Sequence, residues 1–251
     1  MSIKIFLICT FFLTSALARR ATKIGTSRII NGDIIAIDKA PYLVQLRNEQ
    51  GETFCSGTLV AMNFVVSAAH CFLDRDYHHI KVVAGASSLS EEGVSRSIAR
   101  LTLHPEFDAT NPLGNNVAVL KLNSPLPKGR NIRNTYLCSE PLQSGDLLQI
   151  SGWDEIYEDD PEPEKNVLST IRIPVLAKEL CPSKGGKSND ILCAFDGNHD
   201  VSEIDGGGPG IFAGELCGIV SLNHDDEDEI KPAVFTNVMN ILDFLNESLK
   251  G

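Results

Sequence analysis

Short apolar runs broken by turn residues recur along nearly the whole chain, and no other feature constrains its fold as strongly. They fall at Tyr42 to Leu46, Gly57 to Ser67, Ile80 to Ala84, Val117 to Leu122, Leu147 to Ser151, Leu168 to Val175, Leu216 to Ser221 and Ala233 to Val238. Runs this short, bounded by turn residues, read as antiparallel strands of a sandwich or barrel. Only the tail differs: Val238, Ile241, Leu242, Leu245 and Leu249 recur at helical spacing on one face. The expectation is an all-β chain closed by one C-terminal α-helix.

The first residues have a different character. Lys4, the apolar run Ile5 to Leu13 and Ala16-Leu17-Ala18 form the charged, apolar and small-residue sections of a secretory signal peptide. The run is too short to span a bilayer, so residues 1–18 are expected to be removed and the protein to be extracellular. Cys9 leaves with them, and cysteines 55, 71, 138, 181, 193 and 217 remain. An even set in an oxidising compartment implies three disulfides, with 15 pairings open. None of these cysteines has zinc-type C-x-x-C spacing, so neither a metal nor another cofactor is expected.

Charge narrows the partners. The chain carries −11, and a form beginning at Ile29 loses Lys4, Arg19, Arg20, Lys23 and Arg28 but no acid, which takes it to −16. Such a surface repels phosphate backbones and anionic headgroups, which excludes nucleic acid and membrane as expected partners. Much of the charge is concentrated: Asp154 to Glu164 holds seven acids and two prolines, and every residue from Asp225 to Glu229 is an acid. Each reads first as a solvated loop.

Ser67-Ala68-Ala69-His70-Cys71 resembles the A-A-H-C motif of the chymotrypsin and trypsin family, whose histidine is the general base. Cys55-Ser56-Gly57-Thr58-Leu59 stands upstream where that motif's disulfide partner belongs. Further likenesses follow in family order. They are Arg28-Ile29-Ile30-Asn31-Gly32, Val117-Ala118-Val119-Leu120-Lys121-Leu122, Ile150-Ser151-Gly152-Trp153, Asp205-Gly206-Gly207-Gly208-Pro209, Gly218-Ile219-Val220-Ser221 and Lys231-Pro232-Ala233-Val234-Phe235-Thr236. The resemblance covers nearly everything from Arg28 onward. It implies two antiparallel Greek-key β-barrels with the site at their junction, preceded by a propeptide at 19–28.

At the site positions the chain departs from its family. Where the family has G-D-S-G-G-P, Ile204-Asp205-Gly206-Gly207-Gly208-Pro209 offers no attacking hydroxyl, and Ile204 replaces the glycine of the oxyanion hole. The aspartate that orients the histidine corresponds to Asn116, whose amide favours the wrong tautomer of His70. Asp200 matches the carboxylate that binds Arg or Lys in trypsin-like members, while Asn223 and Ala233 replace glycines of the pocket wall. Cleavage after Arg28 would free the amine of Ile29 to pair with Asp205. The resemblance also implies Cys55–Cys71 and Cys181–Cys193, leaving Cys138 and Cys217 for each other; Leu148 and Phe212 stand where the family has another pair. Ala86 stands where the family's calcium loop has its first acid, and Glu91 with Glu92 makes a poor oxygen cage. Asn246-Glu247-Ser248 is a glycosylation triplet on the helical tail.

The function expected from this set is that of a secreted, non-catalytic, monomeric protease homologue. It would act by binding a protein, basic in charge or itself a protease, inhibitor or zymogen, as cofactor, decoy or regulator of extracellular proteolysis. The rival expectations are a weak or atypical endopeptidase with Arg/Lys preference, using water activated by His70, and an inert storage protein. By resemblance both acidic stretches flank the cleft.

Overall fold

A computed structural model describes residues 32–154, 167–181, 190–197, 205–221 and 232–250. Their strands run β1 (Asp33–Ile34), β2 (Leu43–Arg47), β3 (Thr53–Ala61), β4 (Phe64–Ser67), β5 (Lys81–Ala84), β6 (Val94–Leu103), β7 (Ala118–Leu122), β8 (Tyr136–Leu137), β9 (Leu147–Asp154), β10 (Val167–Pro174), β11 (Ile191–Ala194), β12 (Pro209–Phe212), β13 (Glu215–Val220) and β14 (Ala233–Asn237). The helix α1 (Leu242–Ser248) follows.

β2-β3-β4-β7-β6-β5 close into an antiparallel barrel. The later strands form a path β10-β9-β12-β13-β14-β11. A single bridge, Val175 opposite Ala194, joins its two ends, supported by Leu176 N–H to Cys193 O and Phe195 N–H to Pro174 O. Read as rings, β9-β10-β11-β14-β13-β12 repeats the strand order of the first barrel, so the chain builds one Greek-key topology twice without an internal sequence repeat. Closure of this kind removes exposed edges. β1 adds to β10, and β8 adds in parallel to β13.

The cores meet. One cluster of buried side chains runs from Val44, Leu59 and Leu120 in the first barrel to Leu148, Ile219 and Phe235 in the second. The expected run from Gly57 to Ser67 is a hairpin, β3 and β4, broken at Met62-Asn63. The helical tail opens as a 3-10 turn over Val238–Ile241, with α1 only seven residues long. Val238, Ile241 and Leu245 are nonetheless buried together, as their spacing requires. Among the described residues no helix is long and apolar enough to cross a membrane.

Candidate functional site

The site is assembled from ends of strands. β4 stops at Ser67, and the 3-10 turn Ala69–Phe72 follows with Ala69, Cys71 and Phe72 buried, leaving His70 half-exposed between them. Asn116 lies just before β7 and is completely buried. Asn115 adopts the left-handed region, φ 53°, which asparagine tolerates better than most residues, and Val117 N–H donates back to its carbonyl at 2.8 Å. That tight turn sets Asn116 beneath the histidine.

The protons around His70 follow from one fixed donor. Asn116 Oδ1 accepts from the backbone N–H of His70 at 2.9 Å. A backbone amide has only a proton to offer, so this bond decides which end of the Asn116 amide is oxygen. Its Nδ2 then lies 2.9 Å from His70 Nδ1 and donates to Ser221 Oγ at 2.8 Å. The alternative contact, Nδ1 to Oδ1, is longer at 3.3 Å. Facing an N–H, Nδ1 is an acceptor, and the ring carries its proton on Nε2. A general base needs a lone pair on Nε2, where this ring has an N–H. Burial brings the His70 pKa down to about 4, and the charge of Arg75 adds to the fall. The ring is neutral at physiological pH.

Across the junction the turn at Asp205 to Gly207 is held by both barrels. Gly206 O accepts from Ser56 N–H of β3 at 2.9 Å and lies 3.6 Å from Cys71 Sγ. Gly207 N–H donates to Val220 O at 2.8 Å, and Gly208 N–H returns to Asp205 O at 2.7 Å. Gly207 has φ +81°, and a Cβ there would run into Ser67 Oγ and Ser56 O. Asp205 is completely buried, its carboxylate against Gly152 of β9. The loop therefore keeps a tightly specified backbone, while position 206 offers no atom beyond its main chain.

Asn116 contacts His70, and Gly206 meets the same corner through Cys71. Ser221 joins them, a residue that sequence reasoning used only as a landmark; its place at the end of the Gly218-Ile219-Val220-Ser221 motif was the available signal. Ala233 is buried in β14 opposite Ala194. Arg28, Ile29, Asp200, Ile204 and Asn223 lie outside the described residues, as do residues 1–28 with the expected leader and propeptide, and nearly all of both acidic stretches.

The disulfides are Cys55–Cys71, Cys138–Cys217 and Cys181–Cys193. Cys55, His70 and Cys71 gather ligand-type atoms, as do Cys138, Glu215 and Cys217, but in each group the sulfurs are bonded to each other and offer no thiolate to a metal. Leu148 and Phe212, which stand where the family has a further disulfide, pack into one core cluster. Near the calcium-loop position, Ala86 is buried and a carboxylate oxygen of Glu91 accepts from Ser87 N–H.

Two antiparallel barrels of like strand order, with an imidazole on one and a glycine-rich turn of the other docked beside it, define the two-barrel serine peptidase architecture. Comparison with known families matches residues 29–245 to Trypsin. The chain belongs to the trypsin family. It is 33% identical over 232 residues to Seminase of Drosophila melanogaster, covering 90% of this chain and 83% of that protein. It is 29% identical to Trypsin of Sus scrofa, covering 88% and 96%, and 30% identical to Hypodermin-B of Hypoderma lineatum, covering 89% and 88%.

Proposed function

We propose that this chain is a secreted, non-catalytic member of the trypsin family that acts by binding another protein, as a cofactor, decoy or regulator in extracellular proteolysis. The observation that carries the reading is Gly206: the turn beside His70 has no side chain able to attack a carbonyl. In an unrelated fold with the same triad, loss of the serine costs on the order of 10⁶ in turnover. That is roughly 8 kcal/mol of transition-state stabilisation. The proton on His70 Nε2 is a second, independent lesion, and an aspartate-to-asparagine change at the corresponding position of an active relative costs about 10⁴.

Secretion is supported by the leader-like start and by three disulfides, which persist in oxidising compartments. The partner expected is a basic protein, because the mature chain carries −16. The protein after cleavage at Arg28, purified free of other proteases, is expected neither to hydrolyse Arg or Lys peptide substrates nor to be labelled by a serine-directed fluorophosphonate. Gly206→Ser with Asn116→Asp is expected to gain labelling yet stay well below trypsin in turnover, since Ile204 and Asn223 remain. Substrate turnover by the unaltered chain that disappears in His70→Ala would establish the endopeptidase reading instead.

A further inference from the structure

Asn246-Glu247-Ser248 is the chain's one Asn-x-Ser/Thr triplet, and it occupies the last turn of α1. The helix buries Leu245 and leaves Asn246 and Glu247 exposed. Glu247 pairs with Lys250 at 2.6 Å, and the Ser248 carbonyl accepts from Arg100 of β6 at 3.4 Å. Among the described residues the Asn246 side-chain amide has no hydrogen-bond partner. A bulky group on its nitrogen would thus displace no contact of the fold. We propose that Asn246 carries an N-linked glycan.

The inference rests on the secretory reading above, since the donor is a lipid pyrophosphate-linked oligosaccharide of the secretory lumen. Asn246 Nδ2 forms a bond to the sugar's C1, the C1–oxygen bond to pyrophosphate breaks, the lipid pyrophosphate leaves with the electron pair, and the amide gives up one proton to a base. No oxidant is involved. The helix also dictates when this happens. At about 100° per residue, Asn246 and Ser248 point roughly 200° apart around α1. The serine hydroxyl can meet the asparagine amide only in an extended or turn conformation, so transfer precedes the seating of Leu245 in the core. In the folded protein the sugar then projects from an exposed position.

The full chain, with its own leader, is to be expressed in glycosylating eukaryotic cells and recovered from the medium. Peptide N-glycosidase in ¹⁸O-water should lower its mass and convert Asn246 to ¹⁸O-labelled Asp. Asn246→Gln and Ser248→Ala should each abolish the mass change while still being secreted, and Ser248→Thr should preserve it. The folded, unglycosylated protein should not become glycosylated on incubation with microsomes, whereas the nascent chain should. Secreted chain with its leader removed but Asn246 unmodified would overturn the proposal and leave the secretory reading standing. Chain retained in the cytosol with its leader intact would overturn both.

Discussion

Exchanging a carboxylate oxygen for an amide nitrogen at position 116 reverses the direction of a hydrogen bond, and the consequences can be followed proton by proton. Because Asn116 Nδ2 faces His70 Nδ1, the ring is a neutral Nε2–H tautomer with a pKa near 4. In the unfolded chain the same ring titrates near its ordinary 6.5. As pH falls, the unfolded chain therefore takes up the proton first. The stability gained by keeping His70 neutral is intact above pH 6.5, drains away between 6.5 and 4, and changes no further below that. Its upper bound is about 3 kcal/mol. Urea unfolding at pH 7 and pH 4.5 should show a smaller loss on acidification in His70→Gln than in the unaltered chain. An equal loss in both would mean that another group controls acid stability. With Asn116→Asp, a carboxylate would accept from Nδ1–H, and the NMR signature of His70 should move to the Nδ1–H tautomer with a raised pKa.

At the level of elements, the turn between β11 and β12 is specified by backbone packing, independently of catalysis. Gly207 combines φ +81° with contacts that leave no room for a Cβ, whereas Gly214, in the turn between β12 and β13, has φ +86° but open space around it. Gly214→Ala should cost about 1 kcal/mol, the backbone term alone, and Gly207→Ala at least about 2 kcal/mol more, both read from urea midpoints. Equal costs would show that the turn yields to the added methyl. The same turn explains what was legible beforehand. His70, Asn116 and Gly206 stood out because each sits in a short local motif. The direction of the Asn116 amide and the part played by Ser221 did not, because they depend on bonds between residues 46 and 105 positions apart. Among the strands, β6 escaped because only Ile98 of its ten residues is buried and a bulge between Ile98 and Arg100 breaks the alternation. β12 escaped because Pro209 and Gly210 argue locally against a strand, although Gly210 pairs with Gly218 and packs beside Phe235. The hairpin turn at Met62-Asn63 escaped because methionine gives no turn signal.

For the molecule as a whole, the strongest constraint on association is charge. A chain beginning at Ile29 would carry −16, and twelve of its acids lie within Asp154 to Glu164 and Asp225 to Glu229. A field of one sign steers a basic partner toward the protein and repels acidic proteins, acting on the association rate more than on contacts already made. Such attraction is screened as the Debye length falls from about 10 Å at 0.1 M salt to about 3 Å at 1 M. A partner captured from extracellular fluid on immobilised mature protein should therefore elute along a salt gradient. It should also be held more weakly by a variant in which Asp225 to Glu229 are replaced by Asn and Gln. If the partner is held by apolar burial instead, it will persist at 1 M salt, because hydrophobic contact is not weakened by screening. Retention at high salt together with indifference to the neutralised loop would rule out electrostatic recruitment and move the search for the contact surface away from the acidic stretches.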